Sequence, residues 1–232
     1  VAFIEHDSEV RYQRASDVVD VFIVEDHGLF RQGLSELLAA GDPTLRIAGA
    51  VDSAENALRQ IPELLPDVVL MDLHLPGMTG TEAIRRLAVL CPSVHVLVIS
   101  GSAEDHDVME AILAGARGYI LKTAPIEEIA AGIHAAADGN STLSPSVASQ
   151  LLDHVRQNAP AVSIDAEPVG QLTPREVEVL RLMATGMENS EIARELVIST
   201  RTARNHVASI LEKLHMQNRI QAAVYAVRNG LA

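Results

Sequence analysis

The sequence predicts two domains, a doubly wound α/β domain of the (βα)5 type followed by an all-α domain of four helices. Three observations carry this reading. Between residue 18 and about residue 137, five short apolar runs, several rich in β-branched residues, alternate with five helix-sized segments. From residue 171 onward only helical periodicity remains. The charge changes at the same place: residues 1–156 hold 23 acids and 10 bases, whereas residues 171–232 hold 6 acids and 8 bases. The two ends therefore have different electrostatic roles within a chain whose net charge is −13.

The apolar runs are VVDVFIV (18–24), LRIAGAV (45–51), DVVLMD (67–72), VHVLVIS (94–100) and RGYILK (117–122). Runs unbroken by polar alternation suit strands buried on both faces, as a parallel sheet requires. The segments Leu29–Ala40, Ala54–Leu64, Thr81–Leu90, Glu104–Ala114 and Ile126–Ala137 are spaced as crossover helices. Residues 1–17 are expected to be an N-terminal extension, 18–138 the α/β domain and 139–170 a connecting helix and linker. The helix falls at Ser144–Gln157, and the linker, QNAPAVSIDAEPVG, has two prolines and no periodicity. In residues 171–232, Thr173 is placed as N-cap, Pro174 at the first helical position and Glu176 three residues past the cap. That helix stops at Gly186. A short helix at Ser190–Leu196, started by Asn189 or Ser190, is followed by a turn at 197–199. A longer helix at Thr200–Leu214 and a last one at Ile220–Arg228 complete the pattern.

Composition excludes several classes of function. With no Trp, 3 Phe and 3 Tyr, the core is aliphatic and a large aromatic ligand pocket is not expected. Cys91 stands alone, so no intrachain disulfide or multi-cysteine zinc site can form. The first residues lack the basic start and apolar stretch of a signal peptide, and no 18-residue apolar run occurs, so a cytoplasmic protein without membrane association is expected.

In a doubly wound sheet, functional groups collect at the carboxyl ends of the strands. Glu25 and Asp26 follow the first strand, Asp72 ends the third, Ser100 the fourth and Lys122 the fifth. Three crowded carboxylates repel each other unless a cation lies among them, and Mg²⁺ suits such an all-oxygen set. A carboxylate beside Mg²⁺ and an ammonium can attack phosphorus, so phosphoryl transfer to Asp72 is the implied chemistry. Each residue alone has a plainer reading. Glu25 and Asp26 could be acids at a helix N-terminus, and Tyr119 an ordinary core-edge ring. His27 and His74 lack a second nitrogen or sulfur ligand at a recognisable spacing and are read as side-chain non-ligands.

The words VFIVEDH, VVLMDLHLPGMTG, VLVIS and GARGYILK together resemble the receiver domain of two-component response regulators, over roughly residues 18–138. That resemblance implies Asp72 as phosphoacceptor and Glu25, Asp26, Asp72 and the backbone carbonyl of His74 as the Mg²⁺ site. It also implies Ser100, Tyr119 and Lys122 as the switch residues, and a sensor histidine kinase as phosphoryl donor. The haloacid dehalogenase type of phosphatase also phosphorylates an aspartate at a strand end, but it calls for a second acid where His74 stands. Hydrolysis of the chain's own acyl phosphate is expected, and turnover of external substrates is not. EDHGLFRQG lacks the G-x-G-x-x-G turn of a dinucleotide site.

A short helix, a turn and a longer helix make a helix-turn-helix, whose second helix can enter the major groove. With Ala203, Val207, Ile210, Leu211 and Leu214 inward, the outer side presents Arg201, Arg204, Asn205, Ala208 and Ser209. Arg204 suits guanine and Asn205 adenine, while Arg201, Thr202 and Lys213 suit phosphates. A solvated face of mixed charge accounts for the same residues. Residues 171–232 resemble the four-helix LuxR or NarL type of DNA-binding domain. Ala208 stands where a lysine is often found, and His215 and Met216 replace the usual glycine and aliphatic residue.

By the same resemblance Ala222, Ala223, Ala226 and Val227 form a dimer contact, which would place two recognition helices on an inverted repeat in promoter DNA. Closure of the four-helix core is the alternative for these four. The whole chain then reads as a phosphorylation-controlled transcription regulator in which the unphosphorylated receiver masks the recognition helix and the active form is a homodimer. A receiver that acts without phosphorylation is the variant reading. A ligand-controlled regulator of the acyl-homoserine lactone receptor kind fits the first domain poorly.

Overall fold

The computed structural model describes residues 18–102, 104–143 and 172–231. The apolar runs become β1 (Val19–Val24), β2 (Leu45–Val51), β3 (Val68–Met71), β4 (His95–Ser100) and β5 (Gly118–Leu121). Between and after them lie α1 (Gly28–Gly41), α2 (Ala54–Leu64), α3 (Gly80–Leu90), α4 (Asp105–Ala114) and α5 (Ile126–Ala137). A sixth strand, β6 (Thr142–Leu143), lies beside β5, and the sheet order is β2-β1-β3-β4-β5-β6 with every pair parallel. The sheet thus extends past the boundary expected at residue 138, into residues expected to be connecting chain. Two residues are too few to show a period in sequence.

Although the runs are apolar throughout, their residues alternate between two cores. Val21, Ile23, Val68, Leu70, Leu97, Ile99 and Ile120 pack with Leu34 and Leu38 of α1 and Ile129 and Ile133 of α5. Phe22, Val24, Val69, Met71, Val96, Val98 and Tyr119 pack with α2, α3 and α4 on the other face. Each fully buried aliphatic side chain of this kind stabilises the fold by about 1.5–3 kcal/mol. From β1 the sheet grows toward β2 on one side and β3 on the other, which opens a crevice at the carboxyl ends of β1 and β3.

The second domain contains α6 (Pro174–Ala184), α7 (Asn189–Glu195), α8 (Thr200–Lys213) and α9 (Arg219–Arg228). Thr173 and Glu176 form the expected capping box on α6. On α7 the cap is Glu188, boxed with Glu191, rather than Asn189 or Ser190. Ser199 and Asn218 cap α8 and α9 with their side chains. Ala203, Val207, Ile210 and Leu211 face inward as expected, and Leu214 is half-buried against the same core. The expected extension at 1–17, connecting helix at 144–157 and linker at 157–170 lie outside the described residues.

In the last helix, Ala222 and Ala226 are fully buried in the core of their own domain, the alternative role read for them from sequence. Their spacing of four residues puts both on one stripe of α9, and that stripe packs on α6. Ala223 and Val227 are half-buried. Another side of α9 meets the first domain: Ile220 joins the core that contains α3 and α4, and Val224 packs against it. The two domains are therefore docked through α9.

Candidate functional site

The parallel ladders carry polar residues just past the strand ends. Glu25 donates its amide to Val51 O at 3.0 Å, Asp72 to Val24 O at 2.9 Å and Lys122 to Ser100 O at 2.8 Å. Backbone pairing thus fixes where these side chains emerge. The loop after Asp72 returns so closely that a Cβ on Gly80 would lie 2.0 Å from the Asp72 carbonyl oxygen, and only glycine fits there.

Four of the expected residues come together: Glu25, Asp26, Asp72 and Lys122. Lys122 Nζ lies 2.5 Å from Glu25 Oε2 and 2.8 Å from Asp72 Oδ2. Glu25 is fully buried, and Asp72 nearly so. Burial works against the Lys122 ammonium, but its hydrogen bonds and charge contacts with Asp72 and Glu25 raise its pKa above the usual lysine value. The Lys122 ammonium also sits 5.0 Å from the centre of the Phe30 ring. The His74 amide donates to Asp72 Oδ1 at 3.2 Å, which aims the carboxylate.

Ligand atoms of Glu25, Asp26, His27 and Asp72 lie within 4.8 Å of one another. His27 Nδ1 is 3.1 Å from Glu25 Oε1 and 2.8 Å from Asp26 Oδ1, so a histidine read from sequence as a bystander borders the cluster. Glu25 Oε2 and Asp26 Oδ1 are both buried, the first against the Lys122 ammonium and the second beside His27. Three clustered carboxylates with a single ammonium among them form a donor set suited to a hard divalent cation. Asp72, Lys122, His74 and Ser102 help line a surface cavity of about 620 Å³ beside the cluster.

Ser100 and Tyr119 stand on neighbouring strands, and both are fully buried. The Ser100 hydroxyl accepts from the Ser102 amide at 3.2 Å, and the Tyr119 hydroxyl donates to the Ser102 carbonyl at 2.7 Å. Burial pushes the Tyr119 phenol up to about 12. Both residues therefore converge on Ser102, at the entrance to α4. Across the mouth of the site, His74 Nε2 lies 3.5 Å from Asp107 of α4.

On α8, Arg201, Arg204, Asn205 and Ala208 are exposed on the side opposite the apolar stripe. Thr202 is tied to the cap, with its amide 3.0 Å and its hydroxyl 2.7 Å from the Ser199 hydroxyl. Arg204 Nη2 reaches Asp138 Oδ1 of the first domain at 3.0 Å. Ser209 and Lys213 turn toward α6: Ser209 donates to Glu176 at 2.7 Å, and Lys213 Nζ reaches its two oxygens at 2.9 and 2.7 Å. Glu176 also accepts from the Thr173 amide and hydroxyl. Burial opposes its charge, but these donors outweigh that and hold its pKa at about 2. The capping box is visible in sequence, whereas contacts with residues more than 30 positions away leave no local signal.

Comparison with known proteins agrees with both halves. Residues 21–134 match the family model described as a response regulator receiver domain, and residues 170–226 match that of bacterial regulatory proteins of the luxR family. The transcriptional regulatory protein LiaR of Bacillus subtilis is 38% identical over 92% of this chain and 99% of its own length. The nitrate/nitrite response regulator protein NarL of Escherichia coli is 34% identical over 88% of this chain and 93% of its own. The crystal structure of response regulator ChrA, from a heme-sensing two-component system, superposes with a TM-score of 0.51. It is 28% identical and covers 93% of this chain and 100% of its own. Fold and relatives agree, and the chain belongs to the two-component response regulators that join a receiver domain to a LuxR-type DNA-binding domain.

Proposed function

We propose that Asp72 accepts a phosphoryl group from the phosphohistidine of a sensor histidine kinase, and that this modification frees α8 to bind promoter DNA. The convergence of three carboxylates and Lys122 at adjoining strand ends carries the reading. In the transfer, a carboxylate oxygen of Asp72 forms a bond to phosphorus while the P–N bond of the donor breaks, and the imidazole leaves with the electron pair. Glu25, Asp26, Asp72 and the His74 carbonyl would hold Mg²⁺, which supplies neutralisation of charge on the transferring oxygens. Lys122 steadies the same oxygens from the other side, and the His74 amide keeps Asp72 aimed. Later attack by water on the acyl phosphate returns Asp72 and inorganic phosphate, so the chain resets itself without turning over an external substrate.

The modification adds roughly two negative charges beside Glu25 and Asp26. They compete for Lys122 and offer the Ser100 hydroxyl a new acceptor, which disturbs the shared contacts of Ser100 and Tyr119 with Ser102. Ser102 leads into α4, and α4 faces the DNA-binding domain. In the docked form Arg204, the side chain best suited to read guanine, is held by Asp138. Once released, Arg204 and Asn205 address base edges, Arg201 and Thr202 the phosphates, and Ala208 the adjoining position. Ser209 and Lys213 then serve by fixing α8 on Glu176. A homodimer would place two such helices on an inverted repeat.

The test compares phosphorylated and unmodified full-length protein on duplexes selected by the protein from a random pool. Tighter, dimeric binding after phosphorylation is expected. Equal binding by both forms would overturn the proposal and favour a receiver that works without phosphate.

A further inference from the structure

The docked domains meet where one helix ends and another begins. Helix α4 terminates in a left-handed Gly115 (φ +115°), and its last carbonyls point out of the first domain. The N-terminal end of α9 lies against them. Asn218, fully buried, donates its side-chain amide to Ile112 O at 2.9 Å while its carbonyl oxygen accepts the Gln221 amide at 2.8 Å. Gln221 also donates to Ile112 O at 2.9 Å, and its oxygen accepts the Gln217 amide at 2.8 Å. A Cβ on Gly115 would lie 2.6 Å from Gln217 Oε1, so glycine permits the approach.

One asparagine thus caps two helices in different domains, the start of α9 and the end of α4. The partial positive end of α9 faces the partial negative end of α4, which favours the arrangement. At its other end α4 follows Ser102, the residue that Ser100 and Tyr119 share. We infer that Asn218 and Gln221 form the latch that keeps the two domains docked, and that α4 is the element on which both the phosphorylation site and the latch act. This rests on the reading above that docking masks α8.

Both amides have a separable role. Asn218→Asp and Gln221→Glu keep the oxygens that accept the Gln221 and Gln217 amides, but neither can donate to Ile112 O, and both place negative charge on the carbonyl end of α4. The experiment is small-angle scattering and hydrogen exchange on the unmodified, full-length double variant, with the single Gln221→Glu variant beside it. A larger radius of gyration is expected, together with exchange at least about tenfold faster in the first turn of α9. The melting of α6 to α9 should be retained, because the internal caps remain. An unchanged radius and unchanged exchange in both variants would overturn the latch. If the double variant loses its fold and Gln221→Glu, still folded, remains docked, the latch is also overturned. If the domains separate but affinity for the selected duplex does not rise, the latch stands and the masking reading fails.

Discussion

Two glutamates in this molecule are buried against a lysine, Glu25 with Lys122 and Glu176 with Lys213, and their surroundings differ in one decisive respect. Glu176 is a single carboxylate that accepts hydrogen bonds from Lys213, Ser209 and Thr173. Glu25 shares one ammonium with Asp72 and lies beside Asp26, so three carboxylates crowd around a single lysine. The first site is complete within the chain and holds α8 in place. The second has more negative charge than its own cation can balance, a strained arrangement expected where a ligand is to be received. The balance of charge around the acid, rather than its burial, separates the structural pair from the functional one.

Four changes should break or sharpen this contrast. The largest effect comes from added Mg²⁺. Mg²⁺ at a hundredfold excess over its Kd should stabilise the receiver by about 2.7 kcal/mol in thermal unfolding, and Glu25→Gln should remove most of that gain. The helical domain should show no such dependence. Next, Lys213→Met leaves Glu176 buried beside its remaining donors and should destabilise the helical domain by about 2 kcal/mol. That is less than the loss expected for a fully buried pair, because the Lys213 side chain is 35% exposed.

The same pair can be examined by titration. The folded pKa of Glu176, about 2, lies below the ordinary glutamate value of 4.5, so its ionised form contributes stability that is fully present above about 4.5 and is lost as pH falls toward 2. Glu176→Gln should flatten the pH dependence of helical-domain stability in that window. Smallest is the opposite sign at the other pair. In metal-free buffer Glu25→Gln relieves crowding of like charges and should stabilise the receiver by about 1 kcal/mol, even as the site loses function. Destabilisation instead would mean that Glu25 is a structural residue like Glu176.

Much of this was legible in the sequence. The strands and crossover helices follow from short apolar runs and their spacing, and the residues that flank those runs at Glu25, Asp72 and Lys122 fall at one sheet edge for that reason. Capping chemistry located α6 from Thr173, Pro174 and Glu176. Other features depend on tertiary contacts that leave no periodic trace. β6 is only two residues long, and the ion pair of Arg204 with Asp138 spans 66 positions. The small apolar stripe of α9 reads equally well as a dimer face or a domain core. The packing of Ala222 and Ala226 on α6, a tertiary contact, is what favours the core.

The central claim, that the unbalanced acids serve phosphoryl transfer to Asp72, is met most directly by intact-mass analysis after incubation with acetyl phosphate. Wild type and Asp72→Asn are compared with and without Mg²⁺. The expected result is the gain of one phosphoryl group by the wild type alone and only when Mg²⁺ is present. A gain of equal size in folded Asp72→Asn, or a gain in the wild type that is indifferent to Mg²⁺, would contradict it.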